Sequence, residues 1–208
     1  MKTLMSFFLL GFVIFAPISS QAADDELAGK VSRIQGAAMA MQNALPRPLK
    51  FGDAILAGDV LSTGKDARLE VTMVDDTVLT LGEKAVLVVS EYAMGARPNA
   101  ALRLLQGAFS AATGKITRTA DASFLVNTEV ATIGVRGTTF WGGMLDGEFQ
   151  VAMLDGKGVY VETRAGRVEL AEAGQGTKVA GPNAQPSQPK TWGKAKVDRA
   201  LATVGFNN

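Results

Sequence analysis

Five carboxylates crowd one stretch of this chain: Asp53, Asp59, Asp66, Asp75 and Asp76. Side chains of that type can gather around calcium through hard oxygen donors, or flank a glycosidic bond as an acid and a nucleophile. Their neighbours point elsewhere. Asp53 and Asp59 each follow a glycine, and Asp75-Asp76 stands between two alternating apolar runs, so turn chemistry accounts for them without a metal or a reaction. Histidine and cysteine are missing from the whole sequence, which removes Ser-His-Asp and Cys-His catalysis and the ligands of nearly all zinc sites. Lack of cysteine also excludes disulfides and an N-terminal lipidated cysteine, so stability must come from packing. Ser62-Thr63-Gly64-Lys65 has the spacing of an S-x-x-K nucleophile motif, but that motif needs a helix and companion S-D-N and K-T-G elements, which the chain lacks. Residues 58–65 approach a P-loop with one residue too many between the glycines, and Asp66 stands where a hydroxyl should hold magnesium. The expectation is a non-enzyme with no catalytic residue, no cofactor and no metal.

The elements that surround these residues begin with an export signal. Lys2, an apolar run over residues 7–18 and a small polar stretch read as a signal peptide spanning residues 1–22, with cleavage expected after Ala22. The run is too short to span a membrane as a helix, which takes about 20 residues. Roughly 185 residues then remain, enough for one domain with a sizeable core. Loss of Lys2 from the 21 basic residues balances them against the 20 acidic ones. The mature chain therefore has no bulk attraction for nucleic acid or anionic lipid, and no nucleic-acid partner is expected. No later segment is apolar enough to be an integral membrane span, and the expected location is the periplasm.

Residues 23–180 read as an all-β domain. Leu69, Val71 and Met73 alternate with Arg68, Glu70 and Thr72, Asp75-Asp76 supplies a turn, and residues 77–81 start the return strand of a hairpin. The same pattern predicts strands over residues 85–90, 101–105, 123–127, 135–141, 148–154, 158–163 and 167–170, with turns at Asp146-Gly147, Asp155-Gly156 and Ala165-Gly166. The 23 glycines suit turns and bulges between many short strands, stacked as a β-solenoid or a sandwich-like body. Residues 49–53 and 54–59 both close on Gly-Asp, a weak echo that favours stacking. Residues 181–193 form a Pro-rich, extended, flexible linker. Over 194–204, Val197, Ala200, Leu201 and Val204 fall at i, i+3, i+4 and i+7 of an amphipathic helix. Docking back onto the β body is the leading expectation for it, with capture by a partner or a membrane surface as the alternatives. Circular dichroism of the mature protein is expected to be dominated by β signal with roughly a tenth helix; a spectrum more than about a third helical would overturn the fold class.

The most specific stretch is residues 124–140, FLVNTEVATIGVRGTTF. Physically it is a strand ending near Asn127, a turn, and a second strand entered through Val135-Arg136-Gly137-Thr138. Arg136 carries a planar five-donor fork, and its neighbours Val135, Gly137 and Phe140 read as core, so a buried structural fork is the expectation. This stretch resembles the FecR domain family, whose hallmark is approximately TPxAxxxVRGTxF. Thr128, Ala131, Val135, Arg136, Gly137, Thr138 and Phe140 match it, with Glu129 where the family usually has proline. The resemblance covers about residues 29–179.

Full-length regulators of that family have a cytoplasmic anti-sigma segment, one membrane helix and this domain in the periplasm, and the chain reads as a free-standing copy of the last part. The resemblance implies a non-catalytic protein-binding or envelope signal-sensing module with an envelope protein as partner. A carbohydrate or cell-wall binding protein is the alternative, which would need exposed rings from Tyr92, Trp141, Tyr160 or Trp192. No small ligand is identified.

Overall fold

The computed structural model describes residues 26–95, 97–119 and 122–207; the expected signal segment lies outside the described residues. The described residues run through sixteen strands and one α-helix: β1 (Leu27–Gln35), β2 (Ala38–Gln42), β3 (Leu45–Pro48), β4 (Ala54–Leu56), β5 (Val60–Thr63), β6 (Arg68–Met73), β7 (Val78–Leu81) and β8 (Val86–Ala93) come first. They are followed by β9 (Asn99–Gln106), β10 (Ala108–Ala112), β11 (Ser123–Asn127), β12 (Thr132–Leu145), β13 (Glu148–Thr163), β14 (Gly166–Leu170), β15 (Gln175–Val179), β16 (Lys190–Thr191) and α1 (Lys194–Ala202). The all-β class with a short C-terminal helix is as the sequence predicts.

Alternation fixes which face each strand buries. Leu69, Val71 and Met73 of β6 are buried while their neighbours are half-exposed, and Leu79 and Leu81 of β7 repeat the pattern across an antiparallel ladder. Each such side chain contributes about 1.5 to 3 kcal/mol through burial, so a one-residue slip in register would forfeit the whole set. The predicted hairpin is therefore present.

The strands form one continuous sheet with two arms. One arm runs β3-β2-β5-β8-β9-β11 and the other β4-β1-β6-β7-β10, and both end on β12. The first joins the beginning of β12, where Leu125 to Asn127 pair with Gly134 to Thr132, and the second joins its end, where Ala108 to Ala112 pair with Gly143 to Thr139. On the far side of the long β12–β13 hairpin the same division recurs, with β14 against residues 159–163 and β15 against residues 149–152. Leu61, Leu87 and Val126 from one arm and Leu69, Leu81 and Phe109 from the other belong to a single core cluster. The single sheet curls on itself into a half-barrel, and its ladders are antiparallel except between β9 and β11.

A strand that serves two arms has to bend, and the bend lies at Arg136-Gly137-Thr138 opposite Gly156-Lys157-Gly158. The register shifts between Thr139 and Phe140, and Gly137 (φ 55°) and Gly156 (φ 115°) adopt angles that L-residues avoid. This corrects one expectation: Asp155-Gly156 lies within β13 beside a bulge at Leu154 and is not a turn, and the strands expected at 148–154 and 158–163 are one strand. Asp-Gly supplies positive φ equally to a turn or a bend within a strand, and here the partner strand continues past it. The Asp146-Gly147 turn stands as predicted, while the turn expected at Ala165-Gly166 falls one residue earlier, on Arg164-Ala165, because Gly166 pairs with Thr163 as the first residue of β14.

The echo at residues 49–59 is a repeated turn. In each copy the aspartate Oδ2 accepts the backbone N–H three residues earlier, Lys50 for Asp53 and Leu56 for Asp59, both at 2.8 Å. The Pro-rich segment is extended but does not hang free, because Pro182 and Ala184 carbonyls accept from Arg164 and Thr163, and Ser187 is bonded to Thr177 and Lys178. Beyond it α1 docks on the β body. Ala200 and Val204 join Ala108, Trp141, Leu145 and Trp192 in a second core cluster, and the Trp141 indole N–H donates to Thr203 Oγ1 at 3.0 Å. Arg199 grips Asp146 through both guanidinium nitrogens, at 2.6 and 3.1 Å, and this partner holds the Asp146 carboxyl below its ordinary range.

Candidate functional site

The motif residues converge on the bend of β12. At its entrance Thr128 closes a turn: its Oγ1 accepts from the N–H groups of Val130 and Ala131 at 3.2 and 2.9 Å, and its backbone N–H donates to the Ala131 carbonyl. Glu129 takes the second position of that turn, where proline's fixed φ is also compatible. Ala131, Val135 and Phe140 point into the core, Phe140 meeting Phe109 edge to face at 5.5 Å. Thr138 is buried and clamps the bend. Its Oγ1 lies 2.9 Å from the Arg136 carbonyl and 3.0 Å from both the carbonyl and the N–H of Gly158, while its own N–H donates to Thr113 Oγ1 at 2.9 Å.

Arg136 is different, and here the structure corrects the sequence reading. Its side chain is exposed and makes no hydrogen bond or ion pair with any described residue. The buried fork does not exist. Alternation explains why: Val135 faces the core, so Arg136 faces away, and Gly137 follows at a positive φ of 55°. Around it the outer face carries groups that the motif did not flag. Lys157 is exposed and likewise without a partner. Tyr160 lies across Gly134, where an added Cβ would sit 2.0 Å from the ring, and the Arg167 guanidinium lies over the ring, 3.5 Å from its centre. Arg136, Lys157, Gly158, Tyr160 and Glu169 line a small cavity of about 60 Å³. Glu169 is occupied with Arg167 at 3.6 Å, so the two cations without carboxylates are Arg136 and Lys157. A free guanidinium beside an ammonium can hold a partner's carboxylate in bidentate fashion. The available sequence signal was the outward phase of Tyr160 between Val159 and Val161.

The five aspartates do not meet, and no group of three or more acids placed to hold a metal occurs among the described residues. Asp53 and Asp59 serve the repeated turn, Asp59 also pairing with Arg47. Asp66 occupies a left-handed turn position, and Asp76 pairs with Lys115 at 2.6 Å. Asp75 goes further than a hairpin tip requires. It is fully buried and accepts from Tyr92 OH at 2.5 Å, the Thr77 N–H and hydroxyl at 3.0 and 2.9 Å, and the Ile116 N–H at 3.1 Å. Burial, then the bond to Asp75, pushes the Tyr92 phenol far above its ordinary range, so it remains a neutral donor. Ser62-Thr63 lies in β5 and Lys65 in the following turn, not on a helix.

Of the four rings named for sugar binding, Tyr92 and Trp141 are fully buried, Trp192 is 8% exposed, and Tyr160 is stacked under Arg167.

Comparison with known proteins agrees with this anatomy. A family model described as FecR protein matches residues 59–175, from the second Gly-Asp turn to the start of β15. No curated protein matches the chain. Two crystal structures of a candidate anti-sigma factor from Parabacteroides distasonis share the fold at 20% sequence identity, with TM-scores of 0.56 and 0.54. Each match covers 68% of this chain and only 63% and 64% of the other.

Proposed function

The chain belongs to the FecR family, and on that premise we propose that it is a non-catalytic signalling module that acts in the periplasm, binding an envelope protein through the face around Arg136. The observation that carries this reading is the division of labour within the motif. Six of its seven residues hold the bend by packing, turn closure or hydrogen bonds, and the seventh projects outward with no partner of its own. The hydrogen-bonded backbone fixes where this charged side chain emerges, which lowers part of the ordering cost of recognition. The missing His and Cys and the structural employment of the aspartates support a role without chemistry. Export is supported by the N-terminal apolar run. The family match and the shared fold of the candidate anti-sigma factor support a regulatory setting.

Arg136→Ala is expected to leave stability within about 0.5 kcal/mol of the parent, as for other exposed positions, and to abolish crosslinking of the partner in a pull-down from intact periplasm. Arg136→Lys keeps the charge without the planar fork and is expected to restore little binding. A partner captured equally well by the parent and by Arg136→Ala would refute the assignment of this face.

A further inference from the structure

Between β15, the extended segment before β16 and the start of α1 lies a cleft of about 370 Å³. We propose that this cleft is a binding site for a phosphate-class dianion, held chiefly by Lys190 and Lys196. It is a feature of the C-terminal segment, since these residues follow the stretch matched by the family, and it is independent of the Arg136 face.

Three lysines line the cleft, Lys178, Lys190 and Lys196, together with Ser187 and Trp192, and no acidic residue lines it. The nearby acids are already engaged. Glu148 holds Lys178 at 2.6 Å, Asp198 holds Lys194 at 2.6 Å, and Asp146 holds Arg199. Lys190 and Lys196 have no carboxylate partner among the described residues. Lys196 instead lies over the Trp192 ring, 4.1 Å from its centre. Desolvation, and after it the like charge of Lys178, hold Lys196 below the ordinary lysine range. The like charge of Lys178 at Lys196 is relieved when an anion joins them. Two unmatched ammonium groups fit the two negative charges of a phosphate. The planar forks that favour a carboxylate are absent from the lining, while lysine serves phosphate as a point charge. The volume leaves room for the group that carries the phosphate.

The test uses the whole mature protein. Inorganic phosphate is titrated in while the emission of the two tryptophans and the melting temperature are followed, with potassium chloride at matched ionic strength as control. A saturable response to phosphate that chloride does not reproduce is expected. The Lys190→Gln/Lys196→Gln double variant, with a parental circular dichroism spectrum, is expected to bind about tenfold more weakly or worse, the loss of one charge-assisted contact or more. If the double variant fails to fold, Lys190→Gln alone, at an exposed position, must show a weakening in the same direction. Cosedimentation with vesicles containing phosphatidic acid, a phosphomonoester, but not with phosphatidylcholine vesicles, lost in the variant, assigns the phosphate to a lipid headgroup. Saturable binding of free phosphate without vesicle binding assigns it to a soluble ester. A response matched by chloride, or one unchanged by the substitutions, together with no vesicle binding, overturns the site.

Discussion

Asp75→Ala is expected to lower the free energy of unfolding by about 4 kcal/mol, a large part of the roughly 5 to 15 kcal/mol that holds a typical domain together. The side chain is fully buried, and its removal strands the Tyr92 hydroxyl, the Thr77 hydroxyl and the N–H groups of Thr77 and Ile116. A buried donor left unmatched costs about 1 to 3 kcal/mol, and relaxation or an entering water recovers part of the total. The network joins the β6–β7 turn, β8 and the short 3-10 turn at Ile116–Arg118, so its loss loosens three segments at once. Tyr92→Phe removes a single donor to the same carboxylate and is expected to cost about 1.5 to 3 kcal/mol. Urea denaturation followed by circular dichroism measures both. A loss below about 1 kcal/mol for Asp75→Ala would show that the network is not structural.

The second large effect is expected at the bend. Gly156→Ala places a methyl group 2.3 Å from the Gly137 carbonyl oxygen and 2.5 Å from Thr138 Cα, at a φ of 115°. Backbone strain of that kind costs about 1 to 3 kcal/mol, and relieving the overlap by moving backbone costs about as much again. A total near 4 kcal/mol is therefore expected. Gly147→Ala supplies the control: φ is 81° there, but nothing lies within 4 Å of the added carbon, and the cost should be about 1 kcal/mol. Thermal or urea unfolding of the two variants separates the terms. Equal losses would mean that close approach at the bend contributes nothing.

The contrast between those two glycines shows how far the sequence reaches. Both follow aspartate, and the dipeptide states only that the backbone reverses its usual twist. Whether the result is a hairpin tip or a bend inside a 16-residue strand depends on what the facing strand does, which is set at residues 137–140. β10 was missed for a related reason. Its sequence, AFSAA, buries Ala108, Phe109 and Ala111 because β7 lies on one side, β12 on the other and α1 above Ala108, so no period-2 signal survives.

What the sequence determined alone is what depends on neighbours along the chain. Alternation sets the inward face of β6 and β7, Gly-Asp sets the repeated turn, the missing His and Cys exclude whole classes of chemistry, and the motif identifies the family. The tertiary structure decided what depends on partners distant in sequence. It joined two arms through one bent hairpin, drew Asp75 inward to Tyr92 and Ile116, pinned α1 against Trp141, and turned Arg136 out to solvent. The physical reason is that propensity and periodicity act over a few residues, whereas burial and hydrogen-bond satisfaction are settled by whichever strand closes over a side chain.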